Sequence, residues 1–375
     1  MAGVYLHIPF CHQACVYCDF HFSTLERDRK AMPAALLKEL DLRSDYLNQR
    51  KLDTIYFGGG TPSVLNPKTL QSIIDGLKKY YTWDTSAEIT IEANPDDLDE
   101  EFFKALKDTE VNRLSIGIQS FKDEDLKLMN RAHSAEESRA CLKLAAKYGF
   151  SNLSIDLIYG LPNQSDTDWL QQLHFLKDFN LGHFSAYALT VEEKTVLDHW
   201  VRSGKVKLEE EASARHFQLL QEFAAKEAYE HYELSNFAKP KHRAVHNHSY
   251  WEGKSYLGLG PSAHSYNGEA RHWNISNNTL YLKAMEAGDL QLEQEDLSMV
   301  DRYNEWLMVS LRLEEGLKLA DLERFDKKLQ DHFWKEFQRQ ESLANLKQNS
   351  GRIYIPADKR FYSDGIASDL FFIKD

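Results

Sequence analysis

Three of the four cysteines in this 375-residue chain, Cys11, Cys15 and Cys18, fall within eight consecutive positions. Thiolates are soft donors that select zinc, copper(I) or iron–sulfur clusters. Structural zinc usually takes four protein ligands from paired Cys-x₂-Cys knuckles, and no matching second knuckle follows here. Three thiolates suit a four-iron cluster that leaves one iron open, and an open iron is a reactive position. A structural zinc site and three reduced surface thiols are the alternatives that spacing alone leaves standing. The run before them, residues 5–10 (Tyr-Leu-His-Ile-Pro-Phe), reads as a buried strand that delivers the cysteines into a loop.

A strand followed by a helix recurs behind that first element. Short β-branched or aromatic runs predict strands at 4–8, 54–57, 88–92, 113–118, 152–158 and 183–189. Helical patterns lie between them at 33–47, 68–81, 98–106, 135–148 and 166–179. Asn66-Pro67 supplies an N-cap and a first-turn proline to the second helix. Successive βα units argue for a parallel sheet, and six are too few for a closed eight-stranded barrel. The predicted fold class is therefore α/β, a partial (β/α)6 TIM-like barrel. Beyond 189 the rhythm changes: a charged amphipathic helix at 209–226, an aromatic and histidine-rich loop region at 229–251, then mostly helical patterns from about 278. Residues 1–280 are expected to form the barrel with its extension, and 281–375 a small, mainly helical, winged-helix-like domain.

Composition narrows the function. Net charge is −13 with no basic run, which argues against nucleic-acid binding. No stretch approaches 18 apolar residues and no signal-peptide pattern opens the chain, so a cytoplasmic protein without an integral membrane segment is expected. Clustered rather than dispersed cysteines argue against a disulfide framework.

Polar residues stand where the strands end, the place where parallel βα folds put their active sites. Gly58-Gly59-Gly60-Thr61-Pro62 closes the second strand, and glycines there let backbone N–H groups approach a ligand. Glu92 ends the third strand, a costly place for a carboxylate unless it is paired. Gln119 ends the fourth strand, Arg131 follows in Met-Asn-Arg-Ala-His, and Asp156 lies on the fifth. A carboxylate can accept both hydroxyls of a ribose, and a guanidinium fork suits a carboxylate. Cys141, on the helical pattern at 135–148, reads as a core thiol.

Cys-x₃-Cys-x₂-Cys after a strand resembles the radical adenosylmethionine signature. The wider phrase Tyr5-Leu6-His7-Ile8-Pro9-Phe10-Cys11 resembles the oxygen-independent coproporphyrinogen III oxidase group within that superfamily. The resemblance implies that Cys11, Cys15 and Cys18 bind three irons of a 4Fe–4S cluster. S-adenosylmethionine would chelate the fourth iron and, after one-electron reduction, yield a deoxyadenosyl radical. It also implies that Gly59, Gly60, Thr61, Glu92, Gln119, Arg131 and Asp156 line the adenosylmethionine site, with Tyr5, Tyr17 and Ala188 as lesser contacts. The oxidases carry a further cysteine two residues after the third, where this chain has Phe20, and a longer segment ahead of the signature, where residues 1–4 stand here.

The later run His246-Asn247-His248-Ser249-Tyr250-Trp251 matches His-Asn-x-x-Tyr-Trp and resembles the HemW-type haem chaperones. The implied function is binding of haem, with His246 on the haem iron, and its transfer to an acceptor protein, beside a cluster that needs an electron donor. An aromatic platform beside an imidazole suits a porphyrin, and His231, His242 and His248 are nearby alternatives. The competing expectation is coproporphyrinogen III dehydrogenase, and a third is a radical enzyme acting on another small molecule.

Overall fold

The computed structural model describes residues 2–373. Six parallel strands, β1 (Ala2–Ile8), β2 (Thr54–Gly59), β3 (Glu88–Ala93), β4 (Arg113–Gln119), β5 (Leu153–Tyr159) and β6 (His183–Ala188), lie side by side in chain order. Their bounds match the sequence expectation to within two residues at nearly every end. Helices α1 (Met32–Leu42), α2 (Pro67–Leu77), α3 (Glu100–Leu106), α4 (Asp123–Leu128), α5 (Ala135–Lys147) and α6 (Asp166–Asp178) fall between or after them. Local chemistry sets their starts. The Asn66 side chain accepts from the Thr69 backbone N–H with Pro67 behind it, and Ser134 with Glu137 forms a capping box at α5. The apolar faces bury one large core that includes Leu6, Phe57, Ile91, Ile116, Trp169 and Phe184.

The sheet does not stop at six strands. Four further strands extend it beyond β1, and two beyond β6. The stretch expected as a loop, 229–251, instead forms a short antiparallel pair, β7 (Glu230–Glu233) and β8 (Asn236–Ala238), and a helix, α9 (Val245–Trp251). Before it lie α7 (Val196–Arg202) and α8 (Glu210–Lys226); after it come β9 (Ser255–Leu259), β10 (His264–Tyr266), β11 (Ala270–Asn274), α10 (Asn278–Ala287) and β12 (Leu292–Asp296). Three- to five-residue strands with histidines and single glycines lack the alternation that marks a strand in sequence, and only pairing to a preformed edge selects them. Here β9 pairs in parallel with β1, and β8 antiparallel to β6.

A second core gathers Tyr303, Trp306, Phe333, Phe337, Ile353 and Ile366. It is built from α11 (Met299–Arg312), a 3₁₀ segment Leu319–Arg324, α12 (Lys327–Ser342), α13 (Ser363–Ser368) and a small sheet of β13 (Leu317–Lys318), β15 (Arg352–Tyr354) and β14 (Lys347–Asn349). Tyr281 and Met285 of α10 belong to the first core, and β12 to the large sheet. On packing, then, we place the domain boundary between β12 and α11, later than the 280/281 boundary expected. Arg312 ties the two bodies together: it donates to Glu233 at 3.2 Å and to Asp364 at 2.9 Å, and its guanidinium lies 4.8 Å from the Trp251 ring centre. No helix among the described residues is long and apolar enough to cross a membrane.

Candidate functional site

The cysteines leave β1 in a loop closed at its base by backbone bonds, Ser23 N–H to Pro9 O at 2.9 Å and Cys11 N–H to Ser23 O at 3.1 Å. Gln13 donates to the backbone and side-chain oxygens of Asn130, and Asn130 returns a bond to Ala14 O. His12 sits 3.0 Å from Asp97. The loop is thus pinned to elements that follow β3 and β4 before any ligand is added.

Two donors already aim at the sulfurs. Thr61 Oγ1 donates to Cys11 Sγ at 3.3 Å, and Arg131 Nη1 to Cys15 Sγ at 3.3 Å. Burial pushes the Cys11 thiol up, against the Thr61 hydrogen bond, and the Cys18 thiol up to about 11. Iron binds the thiolate, so loading such thiols releases protons. Among the described residues, no three His, Cys, Asp or Glu side chains converge as the ligands of a single metal ion would. A cluster instead takes one thiolate per iron, so three half-exposed thiols, two of them with donors on their sulfurs, suit it. Cys141 stands apart, buried in α5 and donating to Ser138 O at 3.1 Å.

The residues expected around adenosylmethionine gather at the same end of the sheet. Glu92 accepts from Tyr56 Oη at 2.7 Å and from the Gly59 N–H at 3.1 Å. Burial raises its carboxyl to about 7 against both bonds, and the charge of Asp156 adds to the rise. Gly59 has φ of +110°, and a Cβ there would meet the His7 ring at 2.6 Å; only glycine fits. A Cβ at Gly58 would fill the space before Tyr5, Tyr56 and Glu92. Gly60 N–H donates to Ile8 O at 2.9 Å and Thr61 N–H to Phe10 O at 2.7 Å, fixing the glycine turn to the root of the cysteine loop. Asp156 accepts from Ser115 at 3.4 Å, and burial raises its carboxyl too.

Arg131 donates through Nη2 to Asn94 Oδ1 at 2.6 Å and to Gly117 O at 2.9 Å. Gln119 sits at a register shift between β4 and β5 with φ of +61°, a strained setting. Tyr17 packs beside Leu126 and Met129, and burial pushes its phenol up. Tyr5 bonds to His7 Nδ1 at 3.0 Å, and Ala188 ends β6 half-buried. Sequence reasoning missed Asn94, which also donates to Thr61 Oγ1 at 3.2 Å. Its signal was its place in the strand-ending run Ile-Glu-Ala-Asn-Pro. Arg113 was missed as well; it is buried inside the barrel 3.8 Å from Glu88, with no hydrogen-bond partner for its guanidinium nitrogens among the described residues.

His246 lies apart from the cysteines, and of the residues above it meets Tyr5, with ring centres 6.4 Å apart, and Tyr56. It is 1% exposed, with Nδ1 at 2.7 Å from Thr54 Oγ1 and Nε2 at 2.8 Å from Tyr250 Oη. Its ring stacks on Tyr56 at 4.7 Å, and burial lowers its pKa to about 3. Thr54 and Glu88 begin their strands, and Glu88 caps α9 by accepting the Val245 and His246 N–H groups, each at 2.9 Å. His246 therefore belongs to the opposite end of the barrel from the cysteines. Both its ring nitrogens are engaged by side-chain hydroxyls, so a bond from His246 to haem iron would have to displace one of them.

Comparison with known proteins supplies the family. The radical SAM superfamily profile matches residues 5–176. The haem chaperone HemW of Lactococcus lactis is 33% identical over 379 aligned residues, spanning 100% of this chain and 98% of that protein. HemW of Mycobacterium tuberculosis is 34% identical over 85% of this chain and 84% of that protein. HemW of Escherichia coli is 36% identical over 70% and 69%. The solved structure of the radical SAM enzyme coproporphyrinogen III oxidase (HemN) from Escherichia coli superposes with a TM-score of 0.82 at 24% identity, covering 99% of this chain and 90% of that one, a likeness of fold. Radical SAM membership implies a 4Fe–4S cluster and S-adenosylmethionine. With relatives above 30% identity aligned along most of its length, the chain belongs to the HemW family of the radical SAM superfamily.

Proposed function

We propose that this protein is a haem chaperone, which binds haem beside a 4Fe–4S cluster with S-adenosylmethionine and passes the haem to an acceptor protein. The observation that carries the reading is the alignment with the Lactococcus lactis haem chaperone over the whole chain. When bound, the cluster and its adenosylmethionine supply one-electron radical chemistry, fed by an electron donor. Cys11, Cys15 and Cys18 hold the irons, and Thr61 and Arg131 stabilise the charge on two of the sulfurs. Gly59 and Glu92 take the cationic amino end of adenosylmethionine, with Gly60 shaping the turn. Asn94, Gln119 and Arg131 offer polar groups above Gly117, and Asp156 accepts from the ribose, with Tyr5, Tyr17 and Ala188 as flanking contacts. Phe20, where the oxidases have cysteine, is 69% exposed. The chain is proposed to act in the cytoplasm, without nucleic acid and without an integral membrane segment.

One sample tests the reading. Anaerobically purified, cluster-loaded protein should give a Soret band with about one hemin per chain and hand that hemin to an apo-haem protein. It should leave coproporphyrinogen III unconverted. Turnover to protoporphyrinogen with no stable hemin complex would establish the oxidase instead, the reading that the HemN-like fold keeps in play.

A further inference from the structure

Strands alternate their side chains, so β3 sends Ile89, Ile91 and Ala93 into the core beneath the helices and turns Glu88, Thr90 and Glu92 into the barrel. On β4 the register sets Arg113 beside Thr90 and Ser115 beside Glu92. Ser115 donates to Asp156 at 3.4 Å. Arg113 therefore stands one layer behind the two carboxylates assigned to adenosylmethionine.

This arginine is 1% exposed, and its Nε, Nη1 and Nη2 all lack a hydrogen-bond partner among the described residues, as does Thr90 Oγ1. Its ion-pair neighbour is Glu88 at 3.8 Å, whose two oxygens already accept the Val245 and His246 N–H groups. An arginine that serves the fold forks its guanidinium onto acceptors. This one makes no such bond, and it cannot shed its proton. Its charge therefore persists in a desolvated interior, where charges act strongly on one another.

Burial first and the Arg113 charge second lower the pKa of both His183 and His246, so these imidazoles stay neutral. Glu92 is faced by Tyr5 from β1, Tyr56 from β2, Asp156 from β5, Tyr187 from β6 and Tyr250 from α9. Burial keeps all four phenols protonated. Beyond burial and its hydrogen bonds, two charges then compete at Glu92: that of Asp156 raises its carboxyl, and that of Arg113 lowers it. Two buried acids sharing a site otherwise hold one proton between them, and a protonated acid has no charge to offer a cation.

Resting on the reading that Glu92 and Asp156 bind adenosylmethionine, we propose that Arg113 is a positioning residue for that site, a fixed counter-charge behind the two carboxylates that keeps both ionised to receive the cationic cofactor. It touches neither the cofactor nor the cluster and acts only through these acids.

The test uses full-length, cluster-loaded protein and the dissociation constant of S-adenosylmethionine by anaerobic equilibrium dialysis, across about pH 5 to about pH 9. In the wild type the affinity rises through about pH 7, where Glu92 ionises. Arg113→Gln removes a charge about 7 Å away, two strand residues, so that midpoint should move up by about one to two pH units and the affinity at neutral pH should fall roughly 10-fold. Arg113→Lys keeps the charge and should keep the midpoint. Glu88→Gln breaks the same ion pair and should not raise it. Arg113→Gln combined with Glu88→Gln removes the pair together, leaves neither partner as a lone buried charge, and should still raise it. A merely structural role would lower affinity equally at every pH. An unmoved midpoint in both Arg113→Gln proteins, or an equal rise in Arg113→Lys or Glu88→Gln, would overturn the role of Arg113 while the cofactor site stands. Absence of adenosylmethionine binding by the wild-type protein would overturn both.

Discussion

Arg131 Nη1 donates to Cys15 Sγ at 3.3 Å across 116 positions of sequence. The same guanidinium holds Asn94 Oδ1 at 2.6 Å and Gly117 O at 2.9 Å. One side chain therefore joins the cysteine loop to the ends of β3 and β4, and it brings positive charge to a sulfur that ligates iron in the proposed cluster.

A positive charge beside a cluster favours the reduced, more negative state. Removing it in Arg131→Gln should lower the reduction potential. A hydrogen bond to a charged group contributes about 1.5–3 kcal/mol, which for one electron is roughly 60–130 mV. A redox titration followed by the electron-spin signal of the reduced cluster reads this directly. A potential equal to that of the wild type would show that Arg131 does not act on the cluster.

Glu92 makes adenosylmethionine binding depend on pH. Burial holds its carboxyl at about 7, above the ordinary 4.5. The ionised form attracts the cationic cofactor, so affinity should rise as pH increases through about 7 and flatten above it. The sign for stability is opposite. An acid with a raised folded pKa keeps its full contribution below pH 4.5, and that contribution is lost as pH rises to about 7. Glu92→Gln should abolish the pH dependence of cofactor binding and raise the melting temperature of the unloaded protein at pH 8. A pH-independent affinity in the wild type would refute the assignment.

His246 should matter to folding first. Replacing it by Leu leaves the Thr54 and Tyr250 hydroxyls without their partner in the barrel interior. Unsatisfied buried groups cost about 1–3 kcal/mol each, so a loss of about 2–6 kcal/mol in denaturant unfolding is expected, with full iron and sulfide content. Unchanged stability together with loss of the hemin Soret band would place His246 on the iron.

The cysteine loop, the six parallel strands and their carboxyl-end residues were legible in the sequence because each rests on local signals. Those signals are rare residues at fixed spacing, β-branched runs and caps such as Asn66-Pro67. What was not legible there depended on long-range partners. His246 reads as a ligand by its neighbours in sequence, yet Thr54, 192 positions away, takes one of its nitrogens. The strands of 230–238 exist because β6 offers them an edge. Asn94 was in view but unremarkable until Arg131 and Thr61 were brought to it. Arg113 reads as the first residue of a strand, and only the barrel's curvature turns it inward, where its guanidinium has no hydrogen-bond partner among the described residues and faces Glu88 at 3.8 Å.

The two separately packed cores have a consequence for cooperativity. A chain with two cores and a polar junction is expected to melt in two steps rather than one. A ligand that binds only when both bodies are folded and docked adds about 2.7 kcal/mol to the pair at a hundredfold excess over its dissociation constant and draws the two transitions together. Calorimetry would then read such a ligand as a merging of peaks, and its release as the moment the molecule becomes two independent halves again.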